Sequence, residues 1–136
     1  MYRISIKSLI FLMLLFSWLI GCAKEVVLPP VEPWPSKVVT SDGMGYFVYN
    51  LRIPGTKQAV KMREGGAITW IPLADIANIR FTGPVCDQYR PARISPLRGG
   101  RLEGELFVDF IIEGTSDQGY WNIPMSKVEA VDIGSD

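Results

Sequence analysis

Apolar and polar residues alternate over short stretches in much of the chain, a pattern typical of β-strands that bury one face. In the range 46–53 the odd-numbered residues are apolar, and we predict that they face the core. The stretches 59–63 and 67–71 flank Gly65 and Gly66. They predict a hairpin, because glycine permits the positive φ angles of a tight turn.

The range 102–113 predicts the longest strand of the domain, preceded by a strand over 90–95. Its even-numbered residues from 106 to 112 are apolar, and part of the opposite face is apolar as well. Such a strand is either covered on both sides or faces a partner. About seven to nine short strands with glycine-rich turns predict an all-β domain, either a small barrel or a sandwich.

The segments 71–81 and 123–133 repeat one pattern at an offset of 52 residues. Each begins with Ile-Pro, continues with a long apolar residue and a small one, and then has β-branched residues at matching places. Proline ends a strand and begins a helical turn well, so one short turn is predicted after each Ile. We interpret the domain as two duplicated β units, at about 46–82 and 95–133.

The first 20 residues have the composition of an export signal. Arg3 and Lys7 precede the range 9–20, which holds a single polar residue. This apolar run is shorter than the roughly 20 residues that a membrane-spanning helix needs, and its length and flanks are those of a signal peptide. The alternative is an uncleaved membrane anchor, or an ordinary export signal that is cut elsewhere.

Leu19-Ile20-Gly21-Cys22 closes this apolar run and resembles the lipobox of bacterial lipoproteins. The resemblance implies that residues 1–21 are a signal peptide cut between Gly21 and Cys22, and that Cys22 carries a diacylglycerol thioether. Two or more acyl chains anchor a protein stably, at about 0.8 kcal/mol per buried methylene. The expected location is therefore the cell envelope, with membrane lipid as a partner.

The residue after the cysteine is Ala23 and not aspartate, which by the same resemblance favours the periplasmic face of the outer membrane if the cell is Gram-negative. The range 22–42 contains four prolines and little hydrophobic periodicity, so we predict an extended tether. The range 43–136 is then the single β domain.

Charge is segregated along the chain, although its 14 basic and 14 acidic residues balance. Between residues 80 and 101 there are five arginines and one aspartate, whereas 102–136 has eight carboxylates and one lysine. The simplest interpretation is that these segments lie side by side and neutralise each other. A near-neutral chain favours neither nucleic acid nor a strongly anionic partner, and no nucleic acid is expected.

The chain has no histidine, the commonest general base and transition-metal ligand. No catalytic residue, metal or cofactor is predicted. With Cys22 acylated, Cys86 has no partner for an intramolecular disulfide; we predict a buried or half-buried thiol, with an intermolecular bridge as the alternative. Four carboxylates are interpreted as a solvated face, or else as a source of a glycosidase-like pair. They are Glu103, Glu105, Asp109 and Glu113.

The range 83–93 is the longest irregular stretch predicted in the domain, and it concentrates Tyr89, Arg90 and Arg93. Arginine beside an aromatic residue commonly recognises carboxylates or phosphates, so these three are candidate binding residues. The alternative is a connector whose arginines pair with the acidic C-terminal strands. Trp70 and Trp121, which precede the two Ile-Pro pairs, are further candidates.

These observations predict a membrane-anchored envelope lipoprotein that binds or helps to assemble a partner and is not an enzyme. An envelope protein is the expected partner. The first alternative is a protein that binds a small ligand or glycan between strands, with Trp70, Tyr120 and Trp121 converging on a cleft. The second, less favoured, is a hydrolase that uses two carboxylates.

Overall fold

A computed structural model describes residues 34–55 and 57–134. In this part of the chain one antiparallel sheet of ten strands curls into a half-barrel, which confirms the all-β prediction. The predicted signal peptide, the lipobox and most of the predicted tether lie outside the described residues. No helix among the described residues is long and apolar enough to cross a membrane.

The strands are β1 (Ser36–Thr40), β2 (Gly45–Arg52), β3 (Ala59–Glu64), β4 (Ala67–Pro72), β5 (Ile76–Phe81), β6 (Tyr89–Pro96), β7 (Leu102–Phe107), β8 (Ile111–Ser116), β9 (Gly119–Pro124) and β10 (Val128–Asp132). Single 3₁₀ turns follow β4 (Leu73–Asp75) and β9 (Met125–Lys127). The order across the sheet is β4-β3-β7-β6-β5-β10-β1-β2-β8-β9, so β4 and β9 are its edge strands.

The sheet divides at the β5–β10 junction into two halves of five strands with matching order. The first half is contiguous in the chain, from β3 to β7. The second half consists of β8, β9 and β10, completed by the N-terminal hairpin of β1 and β2. The chain therefore passes from one half to the other twice, once after β2 and once after β7.

The two Ile-Pro segments have the same local structure. The β4 strand and its 3₁₀ turn recur 52 residues later as β9 and its turn, and Pro72 and Pro124 precede the turns with φ of −59° and −60°. The predicted turns are thus confirmed. The predicted units 46–82 and 95–133 do not correspond to the halves in space, because β2 pairs with β8 and β7 with β3. Duplication from a common unit stays a prediction.

The core lies on the concave side, where alternate residues of the strands meet. Its members share almost complete exclusion from solvent, which is the main stabilising term of the fold. They include Val38, Val48, Val60, Ile76, Ile79, Ile94, Leu106, Met125, Val128 and Val131.

The predicted start of the domain at residue 43 is wrong. Strand β1 lies between β10 and β2, inside the second half of the sheet. Val38 is completely buried, and the hydroxyl of Ser36 accepts a hydrogen bond from the Gly134 backbone N–H at 2.9 Å. The prolines dominate the composition of the preceding residues and hide a strand of only five residues.

The predicted faces of β2 are wrong in its first part, since Val48 faces the core and Phe47 is 58% exposed. Asn50 has a φ of +53°, and the pairing with β8 shifts register between Tyr49 and Arg52. This β-bulge adds one residue and reverses the faces. Leu51, beyond the bulge, packs against the core as predicted.

The predicted long strand over 102–113 is in fact two strands, β7 and β8, with a break at residues 108–110. Here the chain passes from the first half of the sheet to the second. Val108 is buried and donates its N–H to the carbonyl of Gln88 at 2.9 Å. Leu106 therefore belongs to β7 and Ile112 to β8, whereas Val108 and Phe110 lie in the break between them.

The predicted loop over 83–93 is shorter than expected, because Tyr89 already begins β6. Cys86 and Tyr89 exchange backbone hydrogen bonds of 2.7 and 3.1 Å around Asp87 and Gln88, whose φ angles are +51° and +69°. Two successive positive φ angles are typical of a type I′ turn. This turn leaves Cys86 exposed, so the prediction of a buried or half-buried thiol is wrong.

Candidate functional site

The outer surface of the first half carries a cluster of aromatic, aliphatic and cationic side chains. Alternation dictates its membership, because the intervening residues Val60, Met62, Ile71 and Leu106 are buried in the core. We call this cluster the aromatic face; it consists of Lys61, Arg63, Ile68, Trp70, Tyr89 and Phe107. Register places Lys61 opposite Trp70, Arg63 opposite Ile68, and Tyr89 opposite Phe107.

Ring and cation contacts hold the centre of the aromatic face in place. The Tyr89 and Phe107 rings meet edge to face with centroids 5.6 Å apart, and the Arg63 guanidinium carbon lies 3.9 Å from the Tyr89 centroid. Arg63 also pairs with Glu105, and this hydrogen bond raises the pKa of the Arg63 guanidinium. Lys61 Nζ lies 5.5 Å from the Phe107 centroid. Such contacts favour particular orientations of the rings and of the cations beside them.

The border of the aromatic face is the edge strand β4. Ile68 and Trp70 are 46% and 47% exposed, and Lys57 Nζ lies 3.4 Å from the Trp70 ring centroid. Aromatic and aliphatic groups exposed side by side on a rigid sheet are typical of a binding surface.

Arg90, a predicted binding residue, is instead a structural arginine. Its side chain is buried and donates hydrogen bonds to the carbonyls of Gly83 and Val128, both at 2.6 Å, and to the Glu129 carboxylate at 2.9 Å. The guanidinium carbon lies 4.6 Å from the Phe81 centroid. These contacts hold the guanidinium inside the protein, away from the aromatic face, and the binding role of Arg90 stays a prediction.

Arg93 pairs across the strands with Glu103 at 3.0 Å and lies outside the aromatic face. Arg80 and Arg101 likewise reach acidic residues of the C-terminal segment, Asp132 at 3.9 Å and Glu103 at 4.0 Å. Together with the Arg90–Glu129 pair, these contacts show that the basic and acidic segments lie side by side and are paired in part, while Glu105 and Glu113 pair with arginines outside the basic segment.

The three surface aromatics considered for glycan binding do not converge. Trp121 is half-buried against the core, and its ring centroid lies 5.7 Å from that of Tyr46. It faces the opposite side of the sheet from Trp70, because it is one residue out of register with Trp70 in the repeat. Tyr120 is exposed on β9, at the opposite edge from Trp70, and donates a hydrogen bond to Glu113.

A cavity of about 550 Å³ lies where the chain passes from β7 to β8. Its lining is mainly apolar and includes Ile53, Phe110, Ile111 and Pro124. Asp109 also lines it and accepts a hydrogen bond from Gln88 at 3.0 Å. Trp70, Tyr120 and Trp121 take no part in this cavity.

The four carboxylates that could have supplied a catalytic pair have separate partners. Glu103 contacts Arg93 and Arg101, Glu105 contacts Arg63, Glu113 contacts Arg52 and Tyr120, and Asp109 contacts Gln88. No group of three or more His, Cys, Asp or Glu side chains that could hold a metal ion occurs within residues 34–55 and 57–134.

Of the predicted site residues, the structure brings Tyr89 and Trp70 to one surface. Lys61, Arg63, Ile68 and Phe107 were missed. The signal for two of them was present in β3, where Lys61 and Arg63 alternate with the buried Val60 and Met62. Comparison with known proteins adds no relative: no family model matches the chain, and no curated protein is significantly similar to it.

Proposed function

We propose that this protein is a lipid-anchored component of the cell envelope that binds a protein partner through the aromatic face and catalyses no reaction. The anchor is Cys22, for which the lipobox-like sequence is the support. A polyproline-like chain from Cys22 to Pro35 would span about 40 Å, at some 3.1 Å per residue.

The observation that carries the binding role is the exposure of Ile68 and Trp70 beside oriented rings and cations. Tyrosine, tryptophan and arginine are the residues that most often dominate the affinity of protein interfaces. Side chains already held by cation–π contacts lose little conformational entropy when a partner binds. A preorganised, partly apolar surface therefore favours a protein partner.

The anchor is tested by replacing Cys22 with serine in the full-length protein and fractionating cells. We expect Cys22→Ser protein to leave the membrane fraction, because a serine hydroxyl does not receive the thioether-linked lipid. The matched control is Cys86→Ser, which removes the other cysteine and should stay with the membranes. A Cys22→Ser protein that still sediments with membranes contradicts the proposed anchor.

The binding role is tested by crosslinking in cells followed by purification from detergent extracts. We expect the wild-type protein to be crosslinked to a defined partner, and Trp70→Ala to lose most of that product. Tyr120→Ala, at the opposite edge, is the control and should retain it. Equal products with wild-type protein and Trp70→Ala would contradict a role for the aromatic face.

A further inference from the structure

We infer that the edge strand β4 is where the partner docks, and that the partner supplies an extended acidic segment which joins the sheet as an additional strand. This inference rests on the proposed function and specifies the chemistry of its partner. Addition of a strand to a sheet edge gives affinity through backbone hydrogen bonds and specificity through alternate side chains.

Within residues 34–55 and 57–134, the backbone of β4 has a neighbouring strand on one side only. All six of its residues pair with β3, from Ala67 opposite Glu64 to Pro72 opposite Ala59, and the strand ends the order of the sheet. Alternate pairs of an antiparallel ladder exchange hydrogen bonds, and the Leu73 N–H to Gln58 carbonyl contact of 3.0 Å fixes the phase. The N–H and C=O groups of Ile68 and Trp70 therefore point away from β3, toward the open edge.

The residues of β4 itself also lack the usual protection against strand addition. Exposed edges are commonly guarded by a charged residue, a proline or a β-bulge. The first five residues of β4 are Ala-Ile-Thr-Trp-Ile, and their register with β3 has no shift. Proline occurs only at the end of the strand, at Pro72. Five uncharged residues in regular register form a suitable template for another strand.

The charges beside β4 select an acidic segment. Lys57 and Lys61 contact aromatic rings, and within the described part of the chain neither has a carboxylate at ion-pair distance. Arg63, in contrast, is neutralised by Glu105. A segment with a carboxylate at every second position places those groups on the outer face, toward the two lysines, and such complementarity gives specificity.

The same charges disfavour a second copy of this chain at the edge. Antiparallel pairing of β4 with another β4 brings Lys57 and Lys61 of both copies onto one outer face. The paired strands themselves contribute no carboxylate to that face, because β4 has none. Like charges brought together at an interface suppress the wrong partner.

The test uses the full-length lipidated protein in detergent micelles and a synthetic seven-residue peptide in which valine and glutamate alternate. Two further peptides are controls: one has lysine in place of glutamate, and one is N-methylated at the amides that would face β4. Binding is followed by ¹⁵N-resolved amide shifts. We expect the acidic peptide to bind at least about tenfold more tightly than either control and to shift the amides of Ile68 and Trp70 most.

Two proline variants locate the docked strand. Ile68→Pro removes an N–H that points to the open edge, so it should weaken binding by about tenfold or more while the pairing with β3 persists. Tyr120→Pro is the equivalent change on β9 and should leave binding unchanged. Ile68→Glu, which keeps the backbone and places a charge of the peptide's own sign at the edge, should also weaken binding and is the second edge variant if Ile68→Pro unfolds the protein.

Equal affinity for acidic and lysine peptides, or undiminished binding by a folded Ile68 variant, overturns the inference. Dimerisation in sedimentation experiments that both Ile68 variants abolish also overturns it, in favour of a second copy. A crosslinked partner that requires Trp70 but tolerates the Ile68 variants defeats the added strand and leaves the proposed function standing. Peptide binding with no Trp70-dependent partner in cells defeats the proposed function instead.

Discussion

The two edges of the sheet have the same backbone and opposite chemistry. Strands β4 and β9 are six residues each, are related by the 52-residue offset, and end in the same Ile-Pro turn. On the outer side of β4 the offset places Ile68 and Trp70 where β9 has Tyr120 and Asn122. The neighbouring strand contributes Lys61 beside β4, and Glu113 at the equivalent position beside β9.

The two edges differ in whether the charged side chain beside the edge strand is paired with polar side chains of the protein. Glu113 accepts hydrogen bonds from Arg52 at 3.1 Å and from Tyr120, so the β9 edge is neutralised internally. Lys61 contacts aromatic rings and forms no ion pair among the described residues, and Ile68 and Trp70 are about half exposed. The same backbone arrangement thus has a polar edge at β9, where Glu113 is paired with Arg52 and Tyr120, and a more apolar edge at β4, where Ile68 and Trp70 are exposed. We assign partner binding to the β4 edge.

The largest expected effect is on the free energy of unfolding, at two glycines where the backbones of neighbouring strands pack closely. A Cβ on Gly114 would lie 2.3 Å from Val48 Cγ1 and 2.7 Å from the Tyr49 carbonyl oxygen. On Gly104 the nearest atoms are the Arg63 carbonyl oxygen at 2.8 Å and the more flexible Met62 side chain. We expect Gly114→Ala to lower the free energy of unfolding by about 3 kcal/mol and Gly104→Ala by about 1–2 kcal/mol. Urea unfolding measures both losses. Equal losses would contradict the closer packing around Gly114 than around Gly104.

A similar loss is expected where the two halves are joined by Arg90. Arg90→Met keeps the apolar stem but removes hydrogen bonds to Gly83, Val128 and Glu129. It should cost about 2–4 kcal/mol, or roughly 10–20 °C in Tm. Arg93→Met, which breaks an exposed ion pair, is the control and should cost at most about 1 kcal/mol. Similar Tm values for the two variants would exclude the structural role of Arg90.

A smaller effect, on binding alone, is expected from the lysine beside the open edge. Lys61→Glu places like charge against an acidic segment and should weaken binding of the acidic peptide by about tenfold. Lys37→Glu, at an exposed lysine of β1 in the second half, should have little effect. Tm should stay near the wild-type value in both. A peptide affinity that falls equally in both variants would indicate only a general charge effect.

The smallest expected effect is on the titration of Tyr120, at the β9 edge. The hydrogen bond to Glu113 raises the pKa of Tyr120 above its ordinary value of 10. A folded-state pKa above the unfolded one means that the contribution is present below the unfolded pKa and is lost as pH rises through the folded value. Absorbance at 295 nm should show one tyrosine that ionises late, and Tyr120→Phe should remove this step. No change in the upper part of the titration would contradict the contact.

The fold could be predicted from sequence wherever side chains reported a regular local pattern. The alternation over 59–71 and the Ile-Pro turns are such patterns, and they place β3, β4 and both 3₁₀ turns correctly. The bulge at Asn50 could not be predicted, because one positive φ angle changes the faces of a strand without changing its composition. The break at residues 108–110 reflects a passage between halves, which is a long-range property.

The site was only partly predictable for a related reason. Trp70 and Tyr89 could be identified as candidates by residue type, but their common surface depends on strand order, in which β7 and β3 lie between β6 and β4. Arg90 was identified as a candidate by its residue type. Its burial depends on contacts with β10, which the neighbouring sequence does not reveal. The pairing of basic and acidic segments followed from charge alone, because opposite charges favour adjacent strands.

Partner docking at the β4 edge can be measured by hydrogen exchange. The full-length lipidated protein, extracted with its crosslinked partner, is compared with the purified protein alone. The added strand supplies hydrogen-bond partners to the open edge. We therefore expect amide exchange at Ile68 and Trp70 to slow at least about tenfold in the complex, while exchange at Tyr120 and Asn122 is unchanged. Unchanged exchange at Ile68 and Trp70, or slowing at the β9 edge, would contradict it.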